Sequence, residues 1–87
     1  MTTADLRAAQ KAVSEGGPWR ENSQAGDWVG KPIAAALRLD PTNKAHVRKI
    51  TGLLKVWIET GMFVRVVGKD SKRMERTFVE VGQWATD

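Results

Sequence analysis

Val47, Ile50, Leu53, Leu54, Trp57 and Ile58 recur at intervals of three and four residues between Pro41 and Gly61. That spacing aligns one apolar stripe along an α-helix and fits no strand, whose faces alternate every second residue. Thr42 or Asn43 can cap its start, and the helix is expected to run to Glu59 or Thr60 before Gly61 ends it. The outward face then carries Asn43, Lys44, Arg48, Thr51, Gly52 and Lys55, with no acidic residue between positions 44 and 55. Gly52 costs about 1 kcal/mol of helix propensity against alanine, which makes sense where another backbone, a packed helix or DNA comes close.

A stripe of this kind needs cover, and the rest of the chain offers it. Met62–Val67 is β-rich, residues 68–73 form a polar loop, and Thr77–Val81 alternates. Phe63, Phe78 and either Val66 or Val81 are expected to face the core, with Arg65 and Glu80 outward. Upstream, Thr2 or Thr3 caps a helix from about Ala4 to Glu15, and Gly16-Gly17-Pro18 stops it. Trp19–Asn22 reads as a short extended segment. Asp27 is expected to cap a second helix that is regular from Lys31 to Leu39, since Pro32 fits only a first turn. Asp40-Pro41 breaks it.

The order is helix, extended segment, helix, turn, long helix, hairpin, with no internal repeat or linker. It predicts an α+β fold of the winged helix-turn-helix kind, three helices with a short β-hairpin as the wing. The whole of 1–87 is expected to form a single domain. Residues 1–16 make the N-terminal helix, 27–61 the helix-turn-helix and 62–82 the wing hairpin.

Charge is spread unevenly. Residues 1–27 hold three basic and four acidic groups, whereas residues 28–87 hold eleven and six, a net of +5 on the second part. A cationic helix leading into a cationic hairpin suits a nucleic-acid backbone. It also suits a solvated face, or an edge kept from pairing by charge. There is no cysteine, which excludes disulfides, thiol chemistry and cysteine-ligated zinc. No apolar run reaches membrane-spanning length and the first residues lack a secretory pattern, so a cytoplasmic location without membrane contact is expected.

Nothing in the residue pattern points to catalysis. His46 is the only histidine, has no carboxylate four residues away, and reads as a surface or backbone-contacting group. The glycines form no phosphate-binding loop. No metal or organic cofactor is required, and the chain is not expected to be an enzyme. For DNA, Arg48 is the strongest candidate for a base contact because its donor fork matches guanine O6 and N7. Asn43, Lys44, Thr51 and Lys55 complete the helix surface. Lys69, Lys72 and Arg73 in the wing, flanked by Arg65 and Arg76, suit phosphates or the minor groove, while Asp70 and Glu75 dilute the field. Of four tryptophans, Trp57 is assigned to the core; Trp19, Trp28 and Trp84 are either lids on the core or an exposed patch for a partner.

Trp19-Arg20, Trp28-Val29-Gly30, the run Ala34-Ala35-Ala36-Leu37-Arg38-Leu39-Asp40, the run from Lys49 to Gly61, Lys72-Arg73 and Phe78-Val79-Glu80-Val81-Gly82 carry a family resemblance. Together, from about residue 17 to 84, they resemble the C-terminal region of RepA-like AAA-type ATPases and helicases of proteobacterial prophages and plasmids. The resemblance implies a winged-helix accessory domain for DNA, attached to or related to an ATPase core that would precede it. No residue here matches the ATPase motifs, so ATP binding is not carried over.

The reading is therefore a double-stranded DNA-binding accessory domain of phage or mobile-element replication machinery. Its partners would be duplex DNA and either a replication protein or a fused ATPase domain. The alternative is a protein-interaction module on the same scaffold, without direct DNA contact.

Overall fold

The computed structural model describes residues 3–70 and 72–85. In chain order it contains α1 (Thr3–Ser14), β1 (Trp19–Arg20), α2 (Gly30–Leu37), α3 (Lys44–Glu59), β2 (Phe63–Lys69) and β3 (Glu75–Val81). It is an α+β fold of three helices and a three-stranded antiparallel sheet ordered β1-β3-β2. Thr2, the other cap considered for α1, lies outside the described residues, as does Ser71 in the hairpin loop.

Asn43 starts α3. Its Oδ1 accepts from the Ala45 amide at 2.9 Å and the His46 amide at 3.2 Å, satisfying two of the four N–H groups that open any helix. Ile50, Leu54 and Trp57 are buried, with Val47, Leu53 and Ile58 packed at the margin of the same core. Trp57 meets Phe63 at a ring separation of 5.8 Å, which joins α3 to the first residue of β2.

The turn from α2 to α3 is closed by hydrogen bonds at both ends. Arg38 is left-handed, at φ 57°, and the Leu39 amide reaches back to the Ala34 carbonyl at 2.8 Å, which terminates α2. Asp40 Oδ1 then accepts from the Thr42 hydroxyl at 2.6 Å and the Thr42 amide at 2.9 Å. The Asp40 amide donates to His46 Nδ1 at 2.8 Å, giving the lone histidine a backbone partner. These contacts, the Thr42 hydroxyl first, hold the Asp40 carboxyl below the usual carboxylate range.

The start of α2 differs from expectation. Val29, not Asp27, is the cap residue, and it makes no side-chain cap bond. Asp27 instead binds Arg20 Nε at 3.0 Å, while the Arg20 amide donates to the Asp27 carbonyl at 2.8 Å. An aspartate can serve either purpose, and here β1 runs close enough to claim it. Trp28 folds its indole over Gly30, where an added Cβ would stand 2.3 Å from the ring.

The sheet register assigns faces. Phe63 pairs with Val81, Arg65 with Val79 and Val66 with Phe78. Directly opposed residues share a face, so Phe63, Arg65, Val79 and Val81 lie on the helix-covered side and Val64, Val66, Phe78 and Glu80 on the other. Val79 is the core residue of β3. Phe78 is buried on the outer face, and Val66 remains 36% exposed there. The expectation that Phe63 and Phe78 share one core is corrected by this register. Adjacent apolar residues at 78 and 79 left the face ambiguous, and a one-residue shift exchanges the two sides.

Among the described residues, Gln10 is the one polar side chain within the largest fully buried groups. Its Nε2 donates to the carbonyls of Met62 at 3.0 Å and Gln83 at 2.8 Å, and its Oε1 accepts from the Ala85 amide at 2.9 Å. The Met62 carbonyl also accepts from Gly82, whose missing side chain lets the backbone pass the Gly61 carbonyl. One amide therefore ties α1 to the entry of β2 and to the chain leaving β3. Replacing Gln10 with leucine keeps the volume but strands polar groups, each worth about 1–3 kcal/mol when buried without a partner. We expect Gln10→Leu to lower unfolding free energy by roughly 2–3 kcal/mol, read as a shifted urea midpoint at constant slope.

Candidate nucleic-acid interface

Lys44, Arg48, Thr51 and Lys55 follow one another at helical spacing and occupy one flank of α3, away from its buried stripe. All four are exposed. Lys44, Arg48 and Lys55 have no carboxylate partner among the described residues. The Thr51 hydroxyl donates to the Val47 carbonyl at 2.8 Å, which leaves its lone pairs as acceptors. Asn43 stands at the head of this flank with its oxygen committed to the cap and its amide nitrogen as a donor. At Gly52 an added Cβ would meet nothing within 4 Å among the described residues, so none of them accounts for the glycine.

The flank opens onto the sheet. A depression of about 270 Å³ is lined by Thr51, Leu54, Lys55 and Ile58 from α3, Arg65 from β2, and Glu21, Ser23 and Trp28 from the segment after β1. Core packing brings these together: Leu54 and Trp28 are buried, and the longer polar groups emerge around them. Arg65 Nε is ion-paired with Glu21 Oε2. Arg65 and Lys69 are four residues apart on one strand, so both rise from the helix-covered face, beyond the reach of the core.

At the far end of the hairpin, Asp70 organises the turn. Its Oδ1 accepts from the Lys72 amide at 2.9 Å and the Met74 amide at 3.0 Å, and Oδ2 takes Arg76 Nε at 3.3 Å. Reading Asp70 as a group that dilutes positive charge missed this role, because its partners lie within six residues in a turn whose geometry sequence alone leaves open. Lys72 and Arg73 are exposed at the tip, and Arg73 is left-handed at φ 60°. Arg76 follows Glu75 and lies opposite Gly68, so it points to the face away from Arg65.

The tryptophans divide. Trp28 and Trp57 are buried. Trp19 donates its indole N–H to the Val13 carbonyl at 3.0 Å, closing the last turn of α1. Trp84 is 47% exposed and lines a groove of about 580 Å³. That groove draws on both sides of the sheet, Val66 and Phe78 from the outer face and Val79 and Val81 from the helix-covered one, together with Trp19 and the end of α1.

Two residues with a part in this surface escaped sequence reasoning. Glu21 is 44 positions from Arg65, and Ser23 reads as an ordinary turn residue. No local pattern announces either one. Comparison with protein-family models, with curated proteins and with solved structures found no match to this chain.

The Met74 amide first, then the Lys72 amide and Arg76, hold the Asp70 carboxyl below its ordinary value of 3.8. A depressed folded value means that this contribution is complete above the unfolded carboxylate range and is lost as pH falls through the folded one. The hairpin tip should therefore loosen below about pH 4. Amide exchange at Lys72 and Met74 should accelerate relative to the amides of β3 on acidification, and Asp70→Asn should remove that extra pH dependence.

Proposed function

We propose that the chain is a winged-helix domain that binds double-stranded DNA, with α3 as the groove helix and the β2–β3 hairpin as the wing. The element order and the β1-β3-β2 sheet support the winged-helix reading. The observation that carries the DNA reading is the flank of α3. Lys44, Arg48 and Lys55 stand exposed and without carboxylate partners among the described residues, beside a depression that contains Arg65.

An α-helix fits the major groove, and cations along its flank meet the phosphates that border it. In this reading Arg48 takes the bidentate base contact, and Lys44 and Lys55 take phosphates. Lys69, Lys72 and Arg73 extend the contact through the wing. Arg76 is held by Asp70 and orders the hairpin more than it reaches outward. By the resemblance described above, the domain serves phage or mobile-element replication, as an accessory to an ATPase or replication protein.

A second reading, a protein-interaction module, draws on the groove around Trp84. An exposed indole beside the exposed Val66 is a common kind of anchor for a partner. The two surfaces share no lining residue, so substitutions separate them.

Lys44, Arg48, Lys55, Lys69, Lys72 and Arg73 make six available cations. If most meet phosphates, duplex affinity should drop by about a thousandfold between roughly 50 and 200 mM salt. Arg48→Glu with Lys55→Glu should weaken binding at about 0.1 M salt by at least tenfold without changing the urea midpoint, while Trp84→Ala leaves it intact. Wild-type binding indifferent to salt, or loss through Trp84→Ala alone, would move the function to the groove around Trp84.

A further inference from the structure

The depression between α3 and β2 contains more than a basic surface needs. Lys55 and Arg65 supply cations, Ser23 supplies a hydroxyl donor, and Glu21 lines the same depression with its carboxylate on Arg65. In the free protein the Glu21 carboxylate holds Arg65 Nε. A carboxylate and a phosphodiester compete for the same guanidinium edge, since both present oxygens to its donors.

We infer that Ser23, Lys55 and Arg65, bordered by Thr51, form a subsite for one backbone phosphate, which Glu21 fills in the absence of DNA. This rests on the DNA-binding reading and adds a regulating element to it. Glu21 lowers affinity for any polyanion by neutralising Arg65. It releases that cation only when a phosphate is delivered in register by the groove helix beside it. Duplex that seats α3 correctly engages Arg65, whereas a loosely held anion leaves the ion pair closed.

Geometry makes the arrangement specific to this place. Glu21 also lines the depression on the other side, with Arg20, Asn22, Glu75, Arg76 and Thr77, so its side chain has polar space into which to withdraw, towards Arg20 and Arg76. Its amide donates to the Thr77 carbonyl at 3.0 Å, which fixes its backbone to β3 while the side chain moves. Arg65 is likewise anchored by its strand pairing with Val79.

Glu21→Gln is the direct test, with Glu15→Gln on α1 as a control of equal charge change that also releases a cation, Lys11. Glu21→Gln should raise duplex affinity by roughly three- to tenfold at low salt and steepen the salt slope by about one phosphate contact. Glu15→Gln should change neither appreciably. The gain should vanish in the double variant Glu21→Gln with Arg65→Gln. Titration with inorganic phosphate should shift the Ser23 and Thr51 amide resonances more in Glu21→Gln than in wild type.

Salt-dependent wild-type binding with no gain from Glu21→Gln would overturn the subsite and leave the DNA reading intact. A gain equal to that of Glu15→Gln, or one that survives loss of Arg65, would reduce Glu21 to bulk charge and overturn the subsite too. If wild type binds no duplex, the DNA reading fails. The phosphate titration then decides the subsite alone, a shift in Glu21→Gln sustaining it and no shift overturning it.

Discussion

The architecture depends on one buried carboxamide. Gln10 uses both of its N–H donors and its oxygen on main-chain groups from the start of β2 and the chain beyond β3. Burying a large apolar side chain such as Phe63 yields about 1.5–3 kcal/mol but says little about direction. The carboxamide contributes a comparable amount only when all three bonds form together, so it defines a single placement of α1. That placement matters because α1 covers α2 and β3, and through them sets the angle at which α3 meets the sheet.

Around the depression, charge is arranged in two classes. Lys44, Arg48, Lys55, Lys72 and Arg73 are exposed and without acidic partners among the described residues, whereas Arg20, Arg65 and Arg76 are each held by a carboxylate. The held arginines are all on strands or next to them, where the geometry is rigid. The unheld cations are on the α3 flank and at the loop tip, with Lys69 at the last position of β2, and there long side chains retain rotamer freedom. Exposed ion pairs of this kind contribute about 0–1 kcal/mol to stability, so their chief effect is on which cations remain available and where they point.

How much of this could be read from residues alone varied with the distance between partners. α3 was readable because six apolar residues repeat within its own length. The hairpin was readable because its strands are rich in valine and aromatic residues, and the exposed basic flank of α3 followed directly from helical periodicity. The face of β3 was not, since Phe78 and Val79 are both apolar and only the pairing with β2 decides between them. Asp27 looked like a helix cap because nothing local reveals that Arg20 lies beside it. Gln10 was invisible for a stronger reason: a glutamine on a short helix reads as solvent-facing, and its partners are 52 to 75 positions away. Glu21 belongs with it. Long-range polar contacts carry no periodic signature, yet here they determine both the rigidity of the scaffold and the condition of its basic surface.

The pairing of Trp28 with Gly30 restricts how a sequence of this kind can drift. The indole lies against a bare α-carbon at the start of α2, so a larger residue at 30 has no space while the tryptophan is present. Losing the tryptophan first would open a void in the floor of the depression beneath Thr51 and Lys55. Neither site can vary by itself without harm. Across divergent relatives the two positions should therefore change in concert or not at all, giving the fold a sequence memory that outlasts its surface charges.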